Sequence, residues 1–144
     1  MPAFSLPVRV YWEDTDAGGV VYHARYVAFM ERARSEWMRD QGYGQELLRQ
    51  DHGLVWAVRA MQLDFIKPAR LDDLLQIGVG LQQCRGASAV FEQHVHCDGR
   101  LLSTAVVRVA ALDSTSFRPR AIPSPLLEDL QALQRGTPRP ARSL

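Results

Sequence analysis

The chain has 144 residues, with 17 lysines and arginines against 16 acidic side chains. That length suits one sizeable domain, and the near-neutral charge provides no global field to recruit nucleic acid or an anionic membrane surface. No stretch approaches the roughly 20 apolar residues of a membrane span, and the N-terminus lacks a basic segment leading into an apolar run, so a cytoplasmic protein is expected.

Residues 4–12 alternate, with Leu6, Val8, Val10 and Trp12 on one side, which predicts a half-buried strand. After an acidic, glycine-rich stretch the period changes. Tyr26, Phe29, Met30, Ala33 and Trp37 recur at spacings of three and four, which predicts a helix over about 24–41; Arg25, Arg32, Arg34, Ser35, Glu36 and Arg39 fall on its other faces. Gly42 is a natural stop, because glycine takes the left-handed cap conformation without a Cβ penalty. A short helical turn at 45–50 is broken by Asp51-His52-Gly53.

Four strand-like runs follow, at 54–66, 74–84, 87–97 and 101–112, read as a meander. Asp98-Gly99 is a strong hairpin signal, since both central residues of the favoured two-residue turn need positive φ, and Arg85-Gly86 is a weaker one. The segment Lys67-Pro68-Ala69-Arg70-Leu71-Asp72-Asp73 makes a longer link. Beyond Leu112, prolines punctuate a loop, 126–134 predicts one amphipathic helix, and 136–140 reads as a frayed tail. The order is that of an α+β domain with one long helix on an antiparallel sheet, spanning 1–123, followed by a short helix and tail over 124–144. Cys84 and Cys97, in separate strands, read as buried free thiols.

The reactive side chains concentrate between the first strand and the long helix, in Glu13-Asp14-Thr15-Asp16-Ala17-Gly18-Gly19-Val20-Val21-Tyr22-His23. Calcium is excluded by its pattern: the fifth loop position is Gly18 and the twelfth is Arg25 instead of a bidentate glutamate. Zinc lacks a Cys-x-x-Cys pair or helical histidines four apart; His94 and His96 share one face of a strand, read as a solvated or interface face. No phosphate loop or Gly-x-Ser-x-Gly elbow is present. Two readings of the stretch remain. Aspartates and glycines are ordinary turn residues; equally, a carboxylate beside the unpaired N–H groups of a helix start can attack a polarised carbonyl or activate water.

From Val10 to Tyr26 the sequence resembles the signature of hotdog-fold acyl-CoA thioesterases of the 4-hydroxybenzoyl-CoA thioesterase family, in the branch associated with the Tol-Pal envelope system. The helix segment 26–34 and Asp64-Phe65-Ile66-Lys67-Pro68-Ala69 fit it too, and the likeness covers about 7–123. It implies a hotdog fold, a long helix wrapped by an antiparallel sheet, assembled as a homodimer or homotetramer with the site between subunits. It implies hydrolysis of an acyl-CoA to a free acid and CoA, without metal or other cofactor. Asp16 would be the catalytic carboxylate, as nucleophile or general base, and the backbone N–H near His23 the oxyanion donor.

Tyr22 and His23 would then line the thioester position, with Gly19 and Val21 beside them as substrate-binding residues. Lys67, Arg70, Arg85, Gly86 and Ser88 are candidates for contacting CoA phosphates, against the reading that they are solvated loop residues. Another hotdog clade uses a helix glutamate, for which Glu31 or Glu36 could be mistaken, but the intact Asp14-Thr15-Asp16 favours the aspartate branch. The alternative outside catalysis is a hotdog protein that binds acyl-CoA or an acyl carrier protein as a partner of lipid or envelope machinery. A hotdog dehydratase would need a different acid-base arrangement.

Overall fold

The computed structural model describes residues 4–134. In chain order it contains β1 (Phe4–Arg9), a single 3₁₀ turn (Trp12–Asp14), α1 (His23–Asp40), α2 (Gln45–His52), β2 (Leu54–Phe65), β3 (Leu74–Arg85), β4 (Ser88–Cys97), β5 (Arg100–Asp113) and α3 (Ser124–Gln134). The strands form one antiparallel sheet in the order β1-β3-β4-β5-β2. Among the described residues no helix is long and apolar enough to cross a membrane.

The core follows the periodicities of the sequence. Tyr26, Phe29, Met30, Ala33 and Trp37 of α1 are buried against inward residues of the sheet such as Leu75, Ile77, Val79, Phe91, Val95, Val107 and Val109. α3 adds Leu126 and Leu130 to that core and ties itself to β3, where the Gln131 side-chain amide donates to the Cys84 carbonyl at 3.1 Å. Cys84 and Cys97 are buried free thiols, as their strand positions predict.

Four details differ from the sequence expectations. The meander is confined to β3, β4 and β5, because β2 pairs with β5 and the link after it returns across the sheet end to β3. Trp12 is 80% exposed: β1 ends at Arg9, the 3₁₀ turn breaks the alternation after the buried Val10, and the indole faces outward. Arg34 is buried, because its guanidinium donates to Gln93 Oε1 at 2.9 Å while the Gln93 amide donates to the Met30 carbonyl at 2.9 Å, giving the charge a polar niche. The β3–β4 turn is Gly86-Ala87, one residue later than expected, with Arg85 paired to Ser88 and Gly86 at φ +60°. Asp98-Gly99 forms the other tight turn, both residues having positive φ.

Candidate active site

The β2–β3 link is what builds the site. It crosses the same end of the sheet as the loop between β1 and α1, and the two segments clasp each other. Val21 N–H donates to the Ala69 carbonyl at 2.9 Å, Val20 forms a bridge with Arg70, and Val10 exchanges bonds with Asp72 and Asp73. Burial of Ala69, Val21 and Val10 seals this clasp from beneath.

Within the loop the two aspartates do different things. Asp14 is buried, 3% exposed; it accepts the Tyr11 N–H on Oδ2 and Arg25 Nε on Oδ1, both at 2.8 Å, and its carbonyl accepts the Tyr22 N–H at 2.9 Å. It therefore fastens the loop to the first turn of α1, and Arg25 in turn rests over the Phe29 ring. Asp16 is exposed. Its Oδ1 accepts the Gly18 N–H at 2.8 Å, its carbonyl accepts the Gly19 N–H at 3.0 Å, and its own N–H donates to the Val20 carbonyl at 2.9 Å. Among the described residues no donor holds Oδ2 of Asp16, which leaves that oxygen for a ligand.

The glycines follow from this geometry. A Cβ on Gly18 would lie 3.2 Å from Asp16 Oδ1, tighter than ordinary contact, and Gly19 sits at φ +80°, where L side chains are strained. The turn thus presents Asp16 in one orientation.

Asp16, Val20, Val21, His23, Tyr26, Phe65, Ile66, Lys67 and Pro68 line one open cavity of about 300 Å³. His23 is the first residue of α1, so the N–H groups at this edge have no acceptor within the helix and carry the positive end of its dipole. The His23 ring packs beside Tyr22, with centroids 4.6 Å apart, and edge-on to Phe65 at 6.4 Å. Tyr26 is 3% exposed and its Oη accepts the Ala69 N–H at 3.0 Å. Burial pushes its hydroxyl above the ordinary tyrosine value, opposed by that Ala69 bond and reinforced by the Asp73 charge.

Of the residues singled out from the sequence, Asp16, Val21, His23 and Lys67 meet at this cavity. Gly19 and Tyr22 belong to the same loop as its immediate supports, and Arg70 is bridged to Val20. Arg85, Gly86 and Ser88 lie elsewhere: they surround the β3–β4 turn, while the site adjoins the start of β3, roughly 35 Å away along the strand. Within one chain they are outside the Asp16 cavity, because β3 is a single uninterrupted strand between the two ends.

Val20, Tyr26, Phe65, Ile66 and Pro68 join the site without a sequence signal that singles them out. Phe65 and Ile66 are each 52% exposed, which an alternating strand does not call for, and that apolar exposure next to Lys67-Pro68 is a structural sign of a site wall. Glu31 lines a second cavity, of about 230 Å³, with Arg34, Met38, Trp56, Phe91 and Val109, well along α1 from its N-terminus; Glu36 is paired with Arg39.

Residues 10–132 match the thioesterase-like superfamily. The chain belongs to that superfamily. Its relatives include the acyl-CoA thioesterase YbgC of Haemophilus influenzae, 45% identical over 83% of this chain and 88% of that protein. The acyl-CoA thioester hydrolase YbgC of Escherichia coli O157:H7 is also 45% identical, over 89% of this chain and 96% of that one. Among solved structures, a probable thioesterase from Bartonella henselae superposes with a TM-score of 0.79 at 39% identity, covering 83% of this chain and 98% of that chain. The α+β architecture is thus the hotdog fold, and the loop carrying Asp16, the start of α1 and the β2–β3 link all fall inside the superfamily match.

Proposed function

We propose that the protein is an acyl-CoA thioesterase in which Asp16 supplies the carboxylate and the start of α1 the electrophilic assistance. The carrying observation is that a carboxylate with an unengaged oxygen and the first residue of a long helix open onto one cavity. The names of the relatives at 45% identity support the reaction class.

The thioester carbonyl would sit with its oxygen toward the N–H groups near His23, which favour the negative charge developing there. Asp16 Oδ2 then attacks the carbonyl carbon, or takes a proton from the water that does. In the first route the C–S bond breaks as an anhydride forms between the acyl group and Asp16, and water then cleaves that anhydride to release the acid and free the carboxylate. In the second, water adds to the carbonyl and the C–S bond breaks directly. In both, the CoA thiolate takes up the proton that water gives up.

Lys67, an exposed residue that lines the cavity, is the candidate contact for the anionic CoA. The acyl group would extend past Phe65 and Ile66, the exposed apolar wall of the Asp16 cavity. β2 is a long edge strand carrying the half-exposed Val58, so a second copy would add beside it and complete the wall, giving a homo-oligomer. A cytoplasmic location and service to the Tol-Pal envelope machinery fit the motif likeness. A panel of acyl-CoAs of graded length, assayed for CoA release with a thiol-reactive dye, tests the reaction. Hydrolysis of at least one well above background is expected, and no release across the panel would refute it.

A further inference from the structure

We propose that Tyr26 is a positioning residue for this reaction: through Ala69 it sets the gap between the Asp16 loop and the N-terminus of α1. The proposal rests on the thioesterase reading of the site.

The observation is a two-step strut. Tyr26 lies one turn into α1 from His23 and is 3% exposed, its ring packed between the core and the cavity wall, so its hydroxyl is held relative to the N–H groups that would receive the carbonyl oxygen. That hydroxyl accepts the Ala69 N–H at 3.0 Å. On its other side Ala69 uses its carbonyl to accept the Val21 N–H at 2.9 Å, and Val21 pairs with Thr15, directly before Asp16. Both polar groups of one fully buried alanine are therefore spent on joining the two halves of the site, one on the helix and one on the acidic loop.

The Tyr26 ring also packs on Phe65, with centroids 5.4 Å apart, so the wall of the cavity and the strut share one side chain. Removing only the hydroxyl leaves the Ala69 N–H buried without an acceptor, and the link must shift to find one. The shift is transmitted to Val21 and then to Asp16. A displacement of about 1 Å at reacting groups is enough for a rate loss of about a hundredfold.

The test is Tyr26→Phe in the full chain, read two ways. Acyl-CoA hydrolysis is expected to lose about ten- to a hundredfold in kcat with KM within about threefold, because alignment and not affinity is disturbed. Amide hydrogen exchange by NMR is expected to accelerate about tenfold at Ala69 and Val21 while Ile77 and Val95 in the sheet keep their protection. A purely core-packing role would instead raise exchange throughout the sheet and leave kcat per folded molecule unchanged. Replacing Tyr26 with 3-fluorotyrosine, which keeps the ring and weakens the acceptor, should move both readouts less, in the same direction. The proposal is overturned by a kcat within twofold of the parent in Tyr26→Phe, or by unchanged exchange at Val21. Should the parent protein hydrolyse no acyl-CoA, the thioesterase reading fails, and the exchange data alone then decide whether the strut exists.

Discussion

Replacing Asp14 by alanine is the sharpest probe of how the loop is held. In the native protein the carboxylate is 4% exposed and satisfies two donors at 2.8 Å, the Tyr11 N–H and Arg25 Nε. Alanine leaves both without that acceptor. Breaking a fully buried ion pair costs about 3–5 kcal/mol. Here the Arg25 side chain is 30% exposed and can recover water, so a smaller loss, about 2–3 kcal/mol, is expected. For a domain of this length that corresponds to a fall in Tm of roughly 6–12 °C. Urea unfolding and thermal melts measure it, and a double-mutant cycle with Arg25→Met should show a coupling of at least about 1 kcal/mol. Asp14→Asn, which keeps an acceptor for Tyr11, should lose about half as much as alanine. A loss below about 0.5 kcal/mol for Asp14→Ala would refute the view that this carboxylate anchors the loop to α1.

Two further perturbations address the loop and the core. Gly19→Ala meets no atom within 4 Å, so its effect is backbone strain at φ +80° alone. A loss of about 1–2 kcal/mol by chemical denaturation is expected, together with reduced turnover from a displaced Asp16. Burial pushes the Cys84 thiol from its ordinary value of 9.0 up to about 11. Its folded value is raised, so the stability it contributes is complete below pH 9.0 and is lost as pH climbs from there toward 11. Across that window the parent should lose about 2–3 kcal/mol more than Cys84→Ala, and parallel pH profiles of unfolding for the two would contradict it.

Much of this architecture is legible in the sequence, for identifiable reasons. The α1 face was readable because Tyr26, Phe29, Met30, Ala33 and Trp37 obey one period, and the Asp98-Gly99 turn because only positive φ fits there. Arg34 was not, since its burial depends on Gln93, a partner on a distant strand that no local pattern announces. The neighbour of β2 was likewise hidden: a strand's partner is set by tertiary packing, and the long link 66–73 is compatible with either a meander or a return across the sheet. At the site, the two aspartates look alike in sequence, and only the fold separates them: Asp14 is buried on two donors and Asp16 is exposed. The bonds that Ala69 makes to Tyr26 and Val21 could not be seen in sequence, because they arise only where the crossing link meets the acidic loop.

The same crossing explains why Arg85, Gly86 and Ser88, attractive by charge and turn chemistry, lie apart from Asp16 in one chain. Charge near a glycine turn says nothing about which end of a sheet the turn occupies.

In the proposed reaction Asp16 carries the chemistry. The most direct measurement of this is steady-state hydrolysis by Asp16→Asn of whichever acyl-CoA the parent turns over best, with circular dichroism and melting followed on the same sample. Asparagine keeps the side-chain oxygen that accepts the Gly18 N–H and replaces the reacting Oδ2 with an uncharged amide nitrogen. A loss of about a hundredfold or more in kcat is expected, with the fold and its melting intact. Near-parental turnover by a folded Asp16→Asn protein would contradict the account.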